Sequence, residues 1–279
     1  AAVIGAAATT GISVAGIPFY RDASGANGSI YTHDVSGTDN SAANNTAYGI
    51  TAMDAITTGD YNTAIGNQSA SALNTGALNT MVGYFSGNAV TEGGDNVLIG
   101  REAGSAITTG SYNTLVGGSA GKAFDTESNN TGFGYEALRS SSLAGAEYNV
   151  AIGNYTLDAI TSGDANTIIG YNAGGALTAA TGGNVFIGTE AGAAITTAHH
   201  QVIIGNNAAS TGVGTNRGLV AIGRSAGNDK TSGDNCIFIG LDAGSNVTSG
   251  ADSIFIGATA GDGHDTEGNN LGIGKDALG

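Results

Sequence analysis

A five-residue block ending in glycine returns along this chain at nearly constant spacing. It reads Asn62-Thr63-Ala64-Ile65-Gly66, then Asn79-Thr80-Met81-Val82-Gly83, then Asn96-Val97-Leu98-Ile99-Gly100, and it continues to Asn270-Leu271-Gly272-Ile273-Gly274. Its terminal glycine occurs 14 times between Gly49 and Gly274; ten of the 13 intervals are 17 residues, and the others are 18, 18 and 19. Self-similarity at a short fixed period is the mark of stacked repeats, in which each unit packs only on its neighbours. A βαβ crossover needs about 30 residues and does not fit this unit. The unit suits one coil of an all-β parallel β-solenoid, and about fourteen coils at ~4.8 Å each make a rod of roughly 65 Å.

Within a repeat, the block is followed by two variable residues, an Ala, a Gly or Leu, and often Ala-Ile-Thr-Thr-Gly, as in Arg101 to Gly110. The short β-branched runs bounded by Gly, Asn and Asp predict two strands per coil and no helix. The array spans 45–279. Residues 1–44 do not hold the period and carry the only proline, so they are expected to form an N-terminal cap or junction. The last repeat stops at Lys275-Asp276-Ala277-Leu278-Gly279, where its counterpart 140 residues earlier, Tyr135-Glu136-Ala137-Leu138, leads into another coil. The expectation is therefore an array cut short at its C-terminal end.

Composition narrows the function. With 49 Gly but no three-residue period, collagen is excluded, and the regular apolar blocks argue against disorder. Against 23 Asp and Glu stand 8 Lys and Arg, a net charge of −15, which disfavours nucleic acid or an anionic membrane as partner. No apolar run is long enough for a membrane-spanning helix. The single Cys236 allows no intrachain disulfide, and it stands where most repeats have Asn, which marks it as a small buried residue.

Aligned repeats turn each position into a column. Four residues before the glycine stand Asn45, Asn62, Asn79, Asn96, Asn113, Asn130, Asn149, Asn166 and Asn184, then Gln201, Leu219, Cys236 and Ser253. Stacked amides can bond to one another and to turn backbone, so this column reads as a structural ladder. A second column collects threonines, among them Thr58, Thr75, Thr91, Thr109, Thr161, Thr231 and Thr248. One residue before the glycine the chain is Ile or Val in 12 of the 14 repeats, and this column is expected to face the coil interior. Two before it stand Ala64, Met81, Leu98, Leu115, Ile168, Phe186, Ile203, Phe238 and Phe255, expected on the opposite, outer face. A strand apolar on both faces needs a second layer. The reading is a parallel homo-oligomer whose subunit interface is the Met81 to Phe255 column.

The Asn-Thr/Val-x-Ile-Gly-x-x-Ala pattern over 45–279 resembles the head repeats of trimeric autotransporter adhesins. It is still more similar to repeats of bacteriophage tail fibres and related virion appendages. The resemblance implies a homotrimer on a virion or extracellular surface, with a host receptor or glycan, or other fibre proteins, as partners. The function expected is a structural fibre projecting a receptor-binding surface; a bacterial trimeric adhesin and a carbohydrate-active β-helix are the alternatives.

Groups for catalysis do not converge in the sequence, so an enzyme is not expected. His33, His264 and the adjacent pair His199-His200 are spread along the array. Asp60, Asp95, Asp164, Asp234 and Asp252 precede the block and read as turn residues. No cofactor is expected; Asp125 with Glu127, and Asp265 with Glu267, are weak candidates for holding Ca²⁺ with backbone carbonyls.

Overall fold

Each block becomes a strand of three residues that ends where its glycine turns the chain. A computed structural model of the protein describes residues 12–14, 17–21, 29–32, 41–139, 145–180, 182–212, 215–263 and 265–279. The fold is all-β, a parallel solenoid of about 13 coils of ~17 residues, divided into two units, Ala1–Thr126 and Glu127–Gly279.

In the first unit, β1 (Ile12–Val14) and β2 (Ile17–Arg21) form an antiparallel hairpin, and β2 pairs antiparallel with β3 (Ile30–Tyr31). β3 then lies parallel beside β4 (Thr46–Tyr48). From there the ladder is parallel throughout: β5 (Thr63–Ile65), β6 (Thr80–Val82), β7 (Val97–Ile99) and β8 (Thr114–Val116), with Ala64 beside Met81, Leu98 and Leu115 in turn. Most of the expected cap, 1–44, lies outside the described residues.

In the second unit the main ladder is β9 (Thr131–Phe133), β10 (Val150–Ile152), β11 (Thr167–Ile169), β13 (Val185–Ile187), β15 (Val202–Ile204), β17 (Val220–Ile222), β18 (Ile237–Ile239), β19 (Ile254–Ile256) and β20 (Leu271–Ile273). A smaller parallel sheet joins β12 (Ala179–Ala180), β14 (Thr197–His199) and β16 (Thr215–Arg217). Among the described residues, the second strand expected in every coil is found only here. Elsewhere that run is a turn: the N–H groups of Thr91, Glu92 and Gly93 all donate to the Thr108 carbonyl, at 2.8, 3.3 and 3.4 Å. Three donors converging on one acceptor cannot make an alternating strand ladder. The threonine column also divides in two. Thr91 stacks on Thr108 rather than Thr109, and Thr161 and Thr231 donate their hydroxyls to Thr178 and Thr248 carbonyls, at 2.7 and 3.0 Å.

Two requirements fix the block glycine. At Gly66, φ is +136°, a conformation side chains rarely adopt, and a Cβ there would lie 2.4 Å from the Gly83 carbonyl oxygen of the next coil. The Asn column supplies a buried polar ladder beside it. The Asn79 N–H donates to Asn62 Oδ1 at 2.9 Å, and Asn79 Nδ2 donates to the Gly93 carbonyl at 2.9 Å. Asn62 Nδ2 does the same to Gly76, and in the second unit Asn149 Nδ2 to Gly163. Each amide thereby closes its own coil and ties it to the one before.

Many coils trade core volume between two positions six residues apart. Large residues at the strand centre face a glycine: Met81 with Gly87, Leu98 with Gly104, Leu115 with Gly121, Phe186 with Gly192, Phe255 with Gly261. In several coils whose strand centre is small, the partner is large: Ala47 with Met53, Gly132 with Leu138, Ala151 with Leu157; Ala64 with Ala70 and Ala221 with Gly227 are small at both positions. A Cβ on Gly104 would sit 2.9 Å from Leu98 Cδ2, and one on Gly261 would sit 2.3 Å from Phe255 Cδ2. Close-packed interiors neither tolerate that overlap nor leave the complementary void unfilled.

Leu98→Ala alone is predicted to cost about 3 kcal/mol through its cavity, and Gly104→Leu alone to overpack the coil. The double variant copies the Ala151 and Leu157 pair, whose Leu157 has the same backbone, φ 52° against 54° at Gly104. Urea denaturation should show it recovering most of the loss; additive destabilisation would refute the volume trade.

Candidate functional site: an outward aliphatic face

Which face of the strand is inside decides what the molecule offers to a partner. The structure places Ala64, Met81, Leu98, Leu115, Ile168, Phe186, Ile203, Phe238 and Phe255 fully inside the coil. This corrects the expectation that the column from Met81 to Phe255 forms the subunit interface: each of these residues is enclosed by its own chain and is not available to a second one. Phe238 and Phe255 stack on each other within that interior, centroids 5.6 Å apart. The residues expected inside, one before the glycine, point out instead; Ile65 is 40% exposed and Ile152 39%.

The physical reason was present in the sequence. Side chains two apart in a strand share a face, so the Asn62 column and the Ala64 column lie on the same side. The Asn residues are buried, as a dry amide ladder requires, and that places Ala64 and its counterparts inside with them. Two apolar faces concealed which was which, and the polar column resolves it.

Consequently the outer surface of the ladder carries two aligned columns. In the second unit from β13 onward both are wholly aliphatic: Val185 and Ile187, Val202 and Ile204, Val220 and Ile222, Ile237 and Ile239, Ile254 and Ile256. In the first unit the outer column of Ile and Val is paired mainly with threonine, as at Thr63, Thr80 and Thr114. Neighbouring coils shield part of each side chain, leaving most of this face of the second unit intermediate in exposure. A contiguous aliphatic strip of this kind is uncommon on soluble monomers.

A second outward feature lies outside the aligned columns. Tyr135, Tyr155 and Tyr171 stand one or two residues after successive block glycines. Their rings pack edge to face, with centroids 5.5 and 6.0 Å apart, and Tyr135 and Tyr171 are exposed. The signal that would have found them is the recurrence of Tyr just after the glycine, as also at Tyr84.

The acidic residues are occupied locally. Oδ1 of Asp60, Asp164 and Asp234 accepts the backbone N–H of Ala43, Glu147 and Arg217, at 2.7, 2.9 and 3.0 Å, tying each turn to the coil before it. Asp125 accepts from the Thr108 hydroxyl and Asp265 from that of Thr248. Glu127 is buried, with the Gly145 N–H 3.5 Å from Oε1, whereas Glu267 is exposed and accepts from the Thr266 N–H at 3.2 Å. Among the described residues no group of three or more His, Cys, Asp or Glu is placed to hold one ion. Glu102 is held below the usual carboxylate range by its hydrogen bond from Lys122, with Arg101 adding to the effect. His199 ends β14 rather than lying in a turn, and His200 is exposed beside it; His33 and His264 lie outside the described residues. No helix among the described residues is long and apolar enough to cross a membrane.

Compared with protein-family models, with curated proteins and with solved structures, the chain finds no match. The class it belongs to is therefore defined by its fold: a parallel β-solenoid of short coils with an aliphatic outer strip.

The corrected orientation separates two substitutions that lie side by side. Phe238→Asp should unfold its coils, costing several kcal/mol for a buried unpaired charge, with loss of the β circular-dichroism signal. Ile239→Asp should leave that signal intact. Equal effects of the two on folding would contradict the assigned faces.

Proposed function

We propose that this chain is a structural segment of a virion fibre, a tail fibre or similar appendage, built as a parallel homotrimer. The observation that carries the reading is the outward aliphatic strip, because a sheet apolar on both faces is stable in water when a second layer covers it. Another copy of the same chain supplies that layer at once. Parallel packing sets the coil spacing of one copy against the identical spacing of the next, so apolar side chains stay in register along the strip. The number three comes from the likeness of the Asn-x-x-Ile-Gly repeat to trimeric fibre and adhesin heads.

Such an assembly works by rigidity and repetition. Coils tied within each unit by backbone hydrogen bonds resist bending, and identical chains present the same surface several times, so weak contacts add through avidity. The exposed Tyr135 and Tyr171 stand on the coils of β9 and β11, before the wholly aliphatic part of the strip, and aromatic rings of this kind suit a host-surface receptor or glycan. The acidic surface keeps the fibre soluble and away from nucleic acid. The place of action is a virion or extracellular surface.

Sedimentation of the intact chain should give a trimer mass, and the double variant Ile239→Asp, Ile256→Asp should sediment as a monomer with its β signal kept. A wild-type chain that is a stable, soluble monomer at micromolar concentration would sink the proposal. Immunogold labelling of purified particles tests the location; label confined to bacterial cell surfaces would favour the adhesin instead.

A further inference from the structure

One coil of the second unit breaks the pattern at two buried positions together. Seven residues after the block glycine the interior is filled by apolar side chains in most coils, as at Ile160, Leu177, Ile195 and Val247, but after Gly205 it is Gly212 and after Gly223 it is Lys230, fully buried. Six residues on, the Asn ladder is replaced by Cys236, also fully buried and free of any disulfide. In regular coils the Asn side chain donates to a carbonyl 14 residues ahead, as Asn149 does to Gly163. Here the equivalent carbonyl, Gly250, receives the Cys236 thiol at 3.2 Å and the Lys230 amine as well. Sharing that one acceptor brings the amine and the thiol side by side. Lysine and cysteine thus occupy together the place of one amide.

The pairing has chemical consequences that an amide lacks. Burial lowers the Lys230 pKa from its ordinary value of 10.5, which favours the neutral amine with its lone pair available. A neutral amine is a nucleophile, and its nearest electrophile after oxidation would be the sulfur beside it.

We propose that Lys230 and Cys236 form a reversible covalent cross-link when the protein meets hydrogen peroxide. In the first step the Cys236 sulfur is oxidised: the thiol takes one oxygen from peroxide, giving the sulfenic acid and releasing water. In the second step the Lys230 nitrogen attacks that sulfur; the N–S bond forms, the S–O bond breaks, and the departing hydroxide leaves as water with a proton from the amine. The sum is Lys-NH₂ + Cys-SH + H₂O₂ → Lys-NH–S-Cys + 2 H₂O. Capture by the amine takes the sulfenic acid before further oxidation, and a thiol reductant reverses the link. The link ties two sides of one coil, closing the circuit where the amide ladder is missing.

The test is intact mass and trypsin digestion of the full chain after peroxide treatment and unfolding. The expected product is lighter by about 2 Da and resists cleavage after Lys230, and dithiothreitol restores both mass and cleavage. Cys236→Ser retains a donor toward Gly250, should fold, and should show neither change. A gain of oxygen on Cys236 with normal cleavage after Lys230 would overturn the proposal. So would no reaction in a sample whose Cys236 is alkylated readily once unfolded. Lys230→Met supplies a third reading: its Cys236 should carry stable added oxygen, because the trapping amine is gone.

The unmodified pair has its own pH signature. A lysine whose folded pKa is lowered binds fewer protons folded than unfolded, so its contribution to stability rises with pH up to about 10.5. The difference in urea midpoint between wild type and Lys230→Met should accordingly shift in favour of the wild type from pH 7 to pH 10. A difference independent of pH would mean that the amine is charged in the fold.

Discussion

The close approach of one coil's backbone to the next governs everything else in this molecule. At the block glycine the chain turns with φ near +140° while the carbonyl of the next coil lies where a Cβ would stand. Coils stacked that tightly exchange hydrogen bonds across the whole turn as well as along the strand. A side chain at that point would push the coils apart and break bonds on both sides of it. The period of the sequence is the period of this contact, and the longer intervals of 18 and 19 residues are absorbed between blocks, never within one.

From this contact follows a narrow interior whose width is set by the backbone, and residues must share it. The exchange between strand centre and the position six residues on is the result: a phenylalanine faces a glycine in one coil, and a leucine faces an alanine or glycine in another. Hydrophobic burial supplies the driving force, but the tight geometry decides which combinations are admitted. The Asn column sits at the margin of the same interior, where it joins carbonyls that would otherwise be buried without donors. At Cys236 the thiol and the Lys230 amine supply donors in place of asparagine, whereas Leu219 one coil earlier supplies none.

The solenoid was legible because a 17-residue period leaves few alternatives, and the asparagine column announced a ladder before any geometry was known. The direction of the strand was not read correctly. Ile65 and Ala64 are both apolar, so hydrophobicity alone could not say which faces water; the deciding evidence was two residues away, at Asn62, whose face is shared with Ala64. The second strand was over-read, since Thr108-Thr109-Gly110 has strand-like residues but is held by donors converging on one carbonyl. The tyrosines at 135, 155 and 171 were missed because their spacing from the glycine varies by one residue. Ligand-binding chemistry stayed illegible for a different reason: among the described residues the Asn column and several turn Asp residues are engaged in tying coils together.

The exchange of volume inside many coils bears on how such an array can change length. Since the large and the small partner belong to the same turn of the chain, a coil brings its own filling with it. Duplicating or deleting one coil would leave the interior widths on either side closely matched, and the glycine contact would re-form between the new neighbours. Length is then a quantity that can drift in steps of one coil at little cost to packing, while cross-section stays fixed. A molecule so built can adjust its reach without redesigning its core.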